Sequence, residues 1–98
     1  MKTRDQYIKL LADFNYKRGE AFGIKRIGIF GSVARDEQNY NSDIDIYYEG
    51  EPLSLFRMAA LKEELEEILE KRVDVVRLRE TMNQLLKKRI QKEGFYVR

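Results

Sequence analysis

From Asp43 to Tyr48 the chain reads Asp-Ile-Asp-Ile-Tyr-Tyr, a strict alternation of side-chain character. Successive side chains of a strand point to opposite sides, so this pattern specifies a strand with two unlike faces. Ile44, Ile46 and Tyr48 share one face; Asp43, Asp45 and Tyr47 share the other. Two carboxylates on one strand face lie roughly 6.5–7 Å apart along the chain. They repel by roughly 2–3 kcal/mol at an effective dielectric of about 20, and aspartate is disfavoured in strands in any case. Such a pair is either the wet face of an antiparallel strand or the holder of a cation.

A second strand precedes it. Lys25 to Phe30 is short and apolar, with Ile27 and Ile29 on one face and Gly28 between them. That glycine either lets another backbone approach closely or makes room beside a site. The run ends in Gly31-Ser32, where Ser32 is placed to cap a short helical turn through Arg35, and a polar loop from Asp36 to Ser42 follows with Asn39 and Asn41 as turn formers. Thr3 with Gln6 forms a capping-box pattern ahead of Tyr7, Leu10, Leu11 and Phe14, which predicts a helix over 4–18 ending near Gly19 or Gly23. Pro52 or Ser54 starts a longer helix to about Glu70, with Met58, Leu61, Leu65 and Ile68 as its apolar stripe. Arg72 to Leu78 is a third strand. Thr81 and Gln84 repeat the capping-box pattern before a last helix with Met82, Leu85, Leu86 and Ile90 on its buried side. Gly94 ends that helix, and Phe95-Tyr96-Val97 adds a short edge strand. The expected architecture is one α/β (α+β) domain over 1–98, a small mixed sheet with helices packed on one face.

Composition narrows the chemistry. The 98 residues contain no cysteine and no histidine, which excludes thiolate and imidazole metal sites and imidazole general bases. Carboxylates remain. A net charge of +2 argues little about nucleic acid. No apolar run reaches the length of a membrane span and the opening residues do not form a signal peptide, so a cytoplasmic protein is expected. A chain this short leaves no room for a deep substrate cavity, and a substrate would sit on an open face or arrive with a partner.

Magnesium suits an Asp43 and Asp45 pair, because it takes one or two carboxylates and lets substrate phosphate and water complete its octahedron. Asp74 interrupts the apolar run Val73-Asp74-Val75-Val76. If its strand neighbours the acidic one, Asp74 can join the metal site or take a proton from an attacking hydroxyl; otherwise it is a strand-end aspartate paired with Arg72 or Arg77. Gly31 and Ser32 can bring backbone N–H groups and a hydroxyl to phosphate oxygens. Arg35 can clamp a triphosphate or be an exposed surface arginine. Tyr47, on the Asp face, can stack near a nucleotide or serve the strand alone.

Gly31-Ser32, the spacer, Asp43-Ile44-Asp45 and the later Asp74 resemble the signature of the nucleotidyltransferase superfamily related to DNA polymerase β. More narrowly, the chain from its first helix through GSVARDEQNYNSDIDI and RVDVV to KRIQKEGFYV resembles the minimal, MNT-type nucleotidyltransferases. These are stand-alone catalytic domains often encoded beside a helical HEPN-type partner as a toxin–antitoxin pair. The resemblance implies a nucleotidyltransferase fold, ATP as substrate and two magnesium ions. It assigns Gly31 and Ser32 to the triphosphate, Asp43 and Asp45 to magnesium, and Asp74 to the third catalytic carboxylate. It implies transfer of AMP to a hydroxyl, with a tyrosine of the partner toxin as acceptor and a hetero-oligomer as the assembly. Family members commonly carry glycine after Ala-Arg, where this chain has Asp36.

Other readings are a non-catalytic antitoxin that neutralises by binding alone, and nucleotidyl transfer to a small molecule. Retention of the three aspartates argues against the first, and the small size against the second. Lys87, Lys88, Arg89 and Lys92 form a basic run without interleaved aromatics. It reads as a solvated helix face or a partner-docking surface, and nucleic-acid binding is disfavoured.

Overall fold

The helix expected at the N-terminus begins as its capping box dictates. The Gln6 N–H donates to Thr3 Oγ1 at 3.2 Å, and the Thr3 N–H donates to Gln6 Oε1 at 2.8 Å. In the computed structural model, which describes residues 2–37 and 41–97, this cap opens α1 (Arg4–Phe14). The chain continues through a π-helical turn (Asn15–Gly19) and a 3₁₀ turn (Glu20–Phe22), and stops at Gly23, whose φ is 69°. There follow β1 (Ile24–Phe30), the short α2 (Gly31–Ala34), β2 (Ile44–Gly50), α3 (Leu55–Leu69), β3 (Val73–Arg77), α4 (Gln84–Glu93) and β4 (Phe95–Val97). Asn39, expected to help form the turn before β2, lies outside the described residues.

The sheet is mixed and ordered β3-β2-β1-β4. β1 runs antiparallel to both β2 and β4, and β2 runs parallel to β3. Parallel neighbours need a crossover, and α3 supplies it. Ser54 caps α3 by accepting from the Arg57 N–H at 3.1 Å.

One sheet face carries the main core. Ile27, Ile29, Ile44, Ile46 and Tyr48 are fully buried there against Tyr7 and Leu11 of α1 and Leu61, Leu65 and Leu69 of α3. Burying each such side chain stabilises the fold by roughly 1.5–3 kcal/mol. Leu69 joins the expected α3 stripe, while Met58 and Ile68 flank it half-buried. The alternation of β2 therefore does what its period requires.

The opposite face departs from expectation. The helices are not confined to one side, because α4 lies across the second face, with Ile90 packed on Phe30 and Tyr47 and with Val76, Leu78, Met82 and Leu86 around them. Gly28 explains part of this arrangement. A Cβ there would collide with the Phe95 carbonyl of β4 and with the Tyr47 ring, so the residue serves close backbone approach. Two local expectations for α4 also change. Asn83, not Thr81, is its N-cap, with Oδ1 accepting from the N–H groups of Leu85 and Leu86 at 3.0 and 3.1 Å. Leu85 stays 76% exposed rather than joining the buried stripe, because Ile90 and Leu86 face the sheet.

Candidate active site

β1 delivers the chain into α2 without a linker. Gly31, at the junction, has φ of 73°, a left-handed conformation that glycine adopts at no steric cost. Val33 and Ala34 are buried in the main core, which anchors the turn and leaves Ser32 half-buried and Arg35 exposed. Ser32 is not the cap of α2, as expected from sequence. The helix begins one residue earlier, after Phe30, and no side-chain hydrogen bond caps it. A helix of only four residues has little dipole, so any anion held here would depend on individual N–H groups and the Ser32 hydroxyl. The Arg4 guanidinium also braces the turn by donating to the Ala34 carbonyl at 3.0 Å.

Gly31 abuts the acidic strand. A Cβ at that position would collide with the Asp45 carboxylate. Phe30 and Asp45 are register partners across β1 and β2, and Asp45 and Asp74 are register partners across β2 and β3. The condition placed on Asp74 is thus met: its strand neighbours the acidic one. Adjacent strands lie about 4.7–4.9 Å apart, closer than the along-strand spacing of Asp43 and Asp45.

The electrostatics follow that geometry. Burial pushes the Asp45 carboxyl up most, Asp74 raises it next, and Asp43 adds less, while Arg89 and, more weakly, Arg35 pull it back. Asp43 is half exposed and pairs with Arg72 at 3.5 Å. Arg72 therefore serves Asp43 rather than Asp74, and Arg77 donates to the Gly50 carbonyl at 2.9 Å. Among the described residues, no group of three or more acidic side chains converges tightly enough to cage a metal ion. The donor set nevertheless suits magnesium: hard carboxylate oxygens on an open edge, and a central aspartate whose charge its neighbours disfavour. Magnesium commonly uses one or two carboxylates and takes its remaining ligands from substrate and water, so Asp43 and Asp45 fit it without a closed cage.

Two expectations about neighbours of the site resolve differently. Tyr47 is only 4% exposed, wedged against Gly28 and Gly94 with its ring 6.2 Å from that of Phe30, so it supports the floor and is not free to stack on a nucleotide. Arg35 donates to Glu93 at 2.9 Å and to Glu37 at 3.3 Å. The basic run of α4 is divided: Lys87 pairs with Glu80 at 3.0 Å, while Arg89 lies 5.9 Å from the Phe30 ring centroid, beside the junction with α2. Arg89 and Glu93 were missed as neighbours of the site. Their i, i+4 spacing places them on one helix side, but only the position of α4 on the second face brings that side to the acidic edge.

Two grooves formed by the described residues lie away from the aspartates. One of about 320 Å³ runs between α1 and α3 beside Arg18 and Glu64, and another of about 270 Å³ is lined by Tyr47, Ile90 and Tyr96. The three aspartates line neither, and Asp43 and Asp74 are exposed.

The glycine-serine turn thus lies against a carboxylate strand, with a third aspartate in register. Residues 15–97 match the family described as "Polymerase beta, Nucleotidyltransferase". This chain belongs to that nucleotidyltransferase family. The nucleotidyltransferase is 34% identical over 98 residues to protein adenylyltransferase MntA of Thermococcus cleftensis, covering 99% of this chain and 98% of the relative. It superimposes with a TM-score of 0.76 and 28% identity on a candidate minimal nucleotidyltransferase, covering 96% of this chain and 95% of the other. It is also similar, at a TM-score of 0.62 and 26% identity, to a chain in the structure of a tri-AMPylated Shewanella oneidensis HEPN toxin in complex with MNT antitoxin, covering 95% of this chain and 66% of that one. The mixed sheet and the nucleotidyltransferase fold expected from the sequence are those of these relatives. Asp36, for which the resemblance implies glycine, has φ of 62°, a left-handed conformation that aspartate tolerates and glycine prefers.

Proposed function

We propose that this nucleotidyltransferase moves AMP from ATP to a hydroxyl of a partner protein, a tyrosine of a helical HEPN-type toxin, and thereby acts as the antitoxin of the pair. The observation that carries the reading is the contact of Gly31 with Asp45, which sets a turn able to receive phosphate directly against the acidic strand. The likeness to a protein adenylyltransferase, and to a structure of an AMPylated toxin with its antitoxin, supports the choice of AMP and of a protein acceptor.

Asp43 and Asp45 hold magnesium in this reading, two ions in the fully loaded site, with Asp74 as the third carboxylate. When bound, magnesium neutralises charge on the phosphates. Gly31 and Ser32 bind phosphate oxygens through N–H groups and the hydroxyl, and Arg35 clamps the chain of phosphates. The acceptor oxygen bonds to the α-phosphorus as the bond to pyrophosphate breaks. Its proton passes to Asp74, which the register sets beside Asp45. Such catalysis consists mainly of positioning and charge stabilisation. The open edge suits an acceptor presented by another protein.

The test mixes the protein with α-labelled ATP, magnesium and a helical HEPN-type protein as the candidate partner. Label is expected on the partner, and Asp43→Ala or Asp45→Ala is expected to abolish it. Label that persists in the Asp43→Ala/Asp45→Ala double variant would overturn the assignment of the site.

A further inference from the structure

Arg35 is held by two carboxylates of very different setting. Its Nη1 donates to Glu93 Oε2 at 2.9 Å and its Nε donates to Glu37 Oε1 at 3.3 Å. Glu93 is the last residue of α4, 23% exposed, on a helix pinned by buried Ile90 and closed by the Gly94 N–H donating to the Ile90 carbonyl at 2.8 Å. Glu37 is 61% exposed on the turn that follows α2. The backbone of Arg35 is tied in its turn to the site, its N–H donating to the Gly31 carbonyl at 3.0 Å.

One guanidinium between two carboxylates carries a net negative charge as a group. A polyphosphate is itself anionic and cannot approach that group favourably while both carboxylates stay. Release of one carboxylate removes that repulsion and frees a donor edge for the phosphate. The guanidinium fork offers separate edges, and the Nε edge is the one occupied by the longer, more exposed and more weakly held contact. Exposed ion pairs contribute little, whereas a short, partly buried charge-assisted bond is held more strongly.

We propose that Glu93 is a positioning residue that anchors Arg35 for the polyphosphate, and that Glu37 is an exchangeable anion which substrate phosphate displaces from the Nε edge. The proposal rests on the nucleotidyltransferase reading of Arg35 and adds two residues of opposite effect to it. The two glutamates touch the same arginine, yet their neutral variants move nucleotide binding in opposite directions.

The experiment measures ATP binding by calorimetry in the presence of magnesium, and KM and kcat for AMP transfer, on wild type, Glu37→Gln, Glu93→Gln, Glu93→Asp and each in an Arg35→Ala background, with thermal melts as a fold check. Glu37→Gln is expected to tighten binding about threefold with kcat unchanged, since it removes only a competitor. Glu93→Gln is expected to weaken binding and lower kcat/KM roughly tenfold, with Glu93→Asp recovering part of the loss. Both effects are expected to vanish without Arg35. Equal or same-direction effects of Glu37→Gln and Glu93→Gln, or effects that persist in Arg35→Ala, would overturn the inference while leaving AMP transfer standing. A wild-type protein that neither binds ATP nor transfers AMP would overturn both readings.

Discussion

At Gly31 backbone and chemistry coincide, because the same residue needs a left-handed φ of 73° and has no room for a Cβ beside Asp45. Gly31→Ala is expected to cost roughly 1–2 kcal/mol in stability from backbone conformation alone and to displace the Asp45 carboxylate, so transfer activity should fall further than stability does. Comparing denaturant midpoints with turnover checks this; activity retained at the wild-type level would contradict it. Tyr47 gives a second residue-scale prediction. Burial pushes its phenol up to about 12 from the ordinary 10.0. A folded-state value above the unfolded one means that the folded chain holds the proton more tightly. The associated stability is therefore full below about pH 10 and is lost as pH rises through about 12, by on the order of 2 kcal/mol. Tyr48 shifts in the same direction, so Tyr47→Phe should shallow the alkaline loss of stability without removing it. Identical slopes for the two proteins between pH 9 and 11 would count against this account. The three aspartates and the Gly-Ser turn were legible in the sequence because their chemistry is local: alternation, a charge inside an apolar run, a glycine after a strand. The pairing of Arg35 with Glu93 was not, since 58 positions separate them and only the fold brings them together.

Among the elements, β2 and α3 follow their sequence periods, whereas α4 shows what periodicity leaves out. Its apolar residues announced a buried stripe but not the face on which it would be buried. That face is the one on which the register sets Tyr47 of β2 beside Val76 of β3, and there Ile90 packs. Leu85 then faces away, and Arg89 and Glu93 arrive beside the site. The expected cap at Thr81 lost to Asn83, whose side chain reaches two N–H groups at once. The end of α3 offers an element-scale prediction. Glu70 closes this helix in a left-handed conformation with φ of 56°, a position where glycine is favoured. Glu70→Gly is expected to stabilise the protein by up to about 1 kcal/mol, raising Tm by a few degrees. The exposed pair it removes, Lys2 with Glu70 at 3.3 Å, contributes little. A lower Tm for this variant would contradict the argument.

Taken as a whole, the molecule places its main core under one sheet face, and leaves Asp43 and Asp74 exposed with Asp45 half-buried beside them. No helix among the described residues is long and apolar enough to cross a membrane. Asp43 and Asp74 are exposed, which suits an acceptor that brings its own shape to the site. The proposal of a protein acceptor rests on this exposure and on the relatives, and it separates cleanly from neutralisation by binding alone. A binder would work as well without Asp43 and Asp45; a transferase would not leave its partner unmodified. The most direct measurement is the intact mass of the helical partner purified from cells that co-express it with this protein. With wild type the partner is expected to carry one or more AMP groups, and with Asp43→Ala/Asp45→Ala it is expected to carry none. An unmodified partner beside the wild-type protein, with growth restored equally by the double variant, would contradict catalysis.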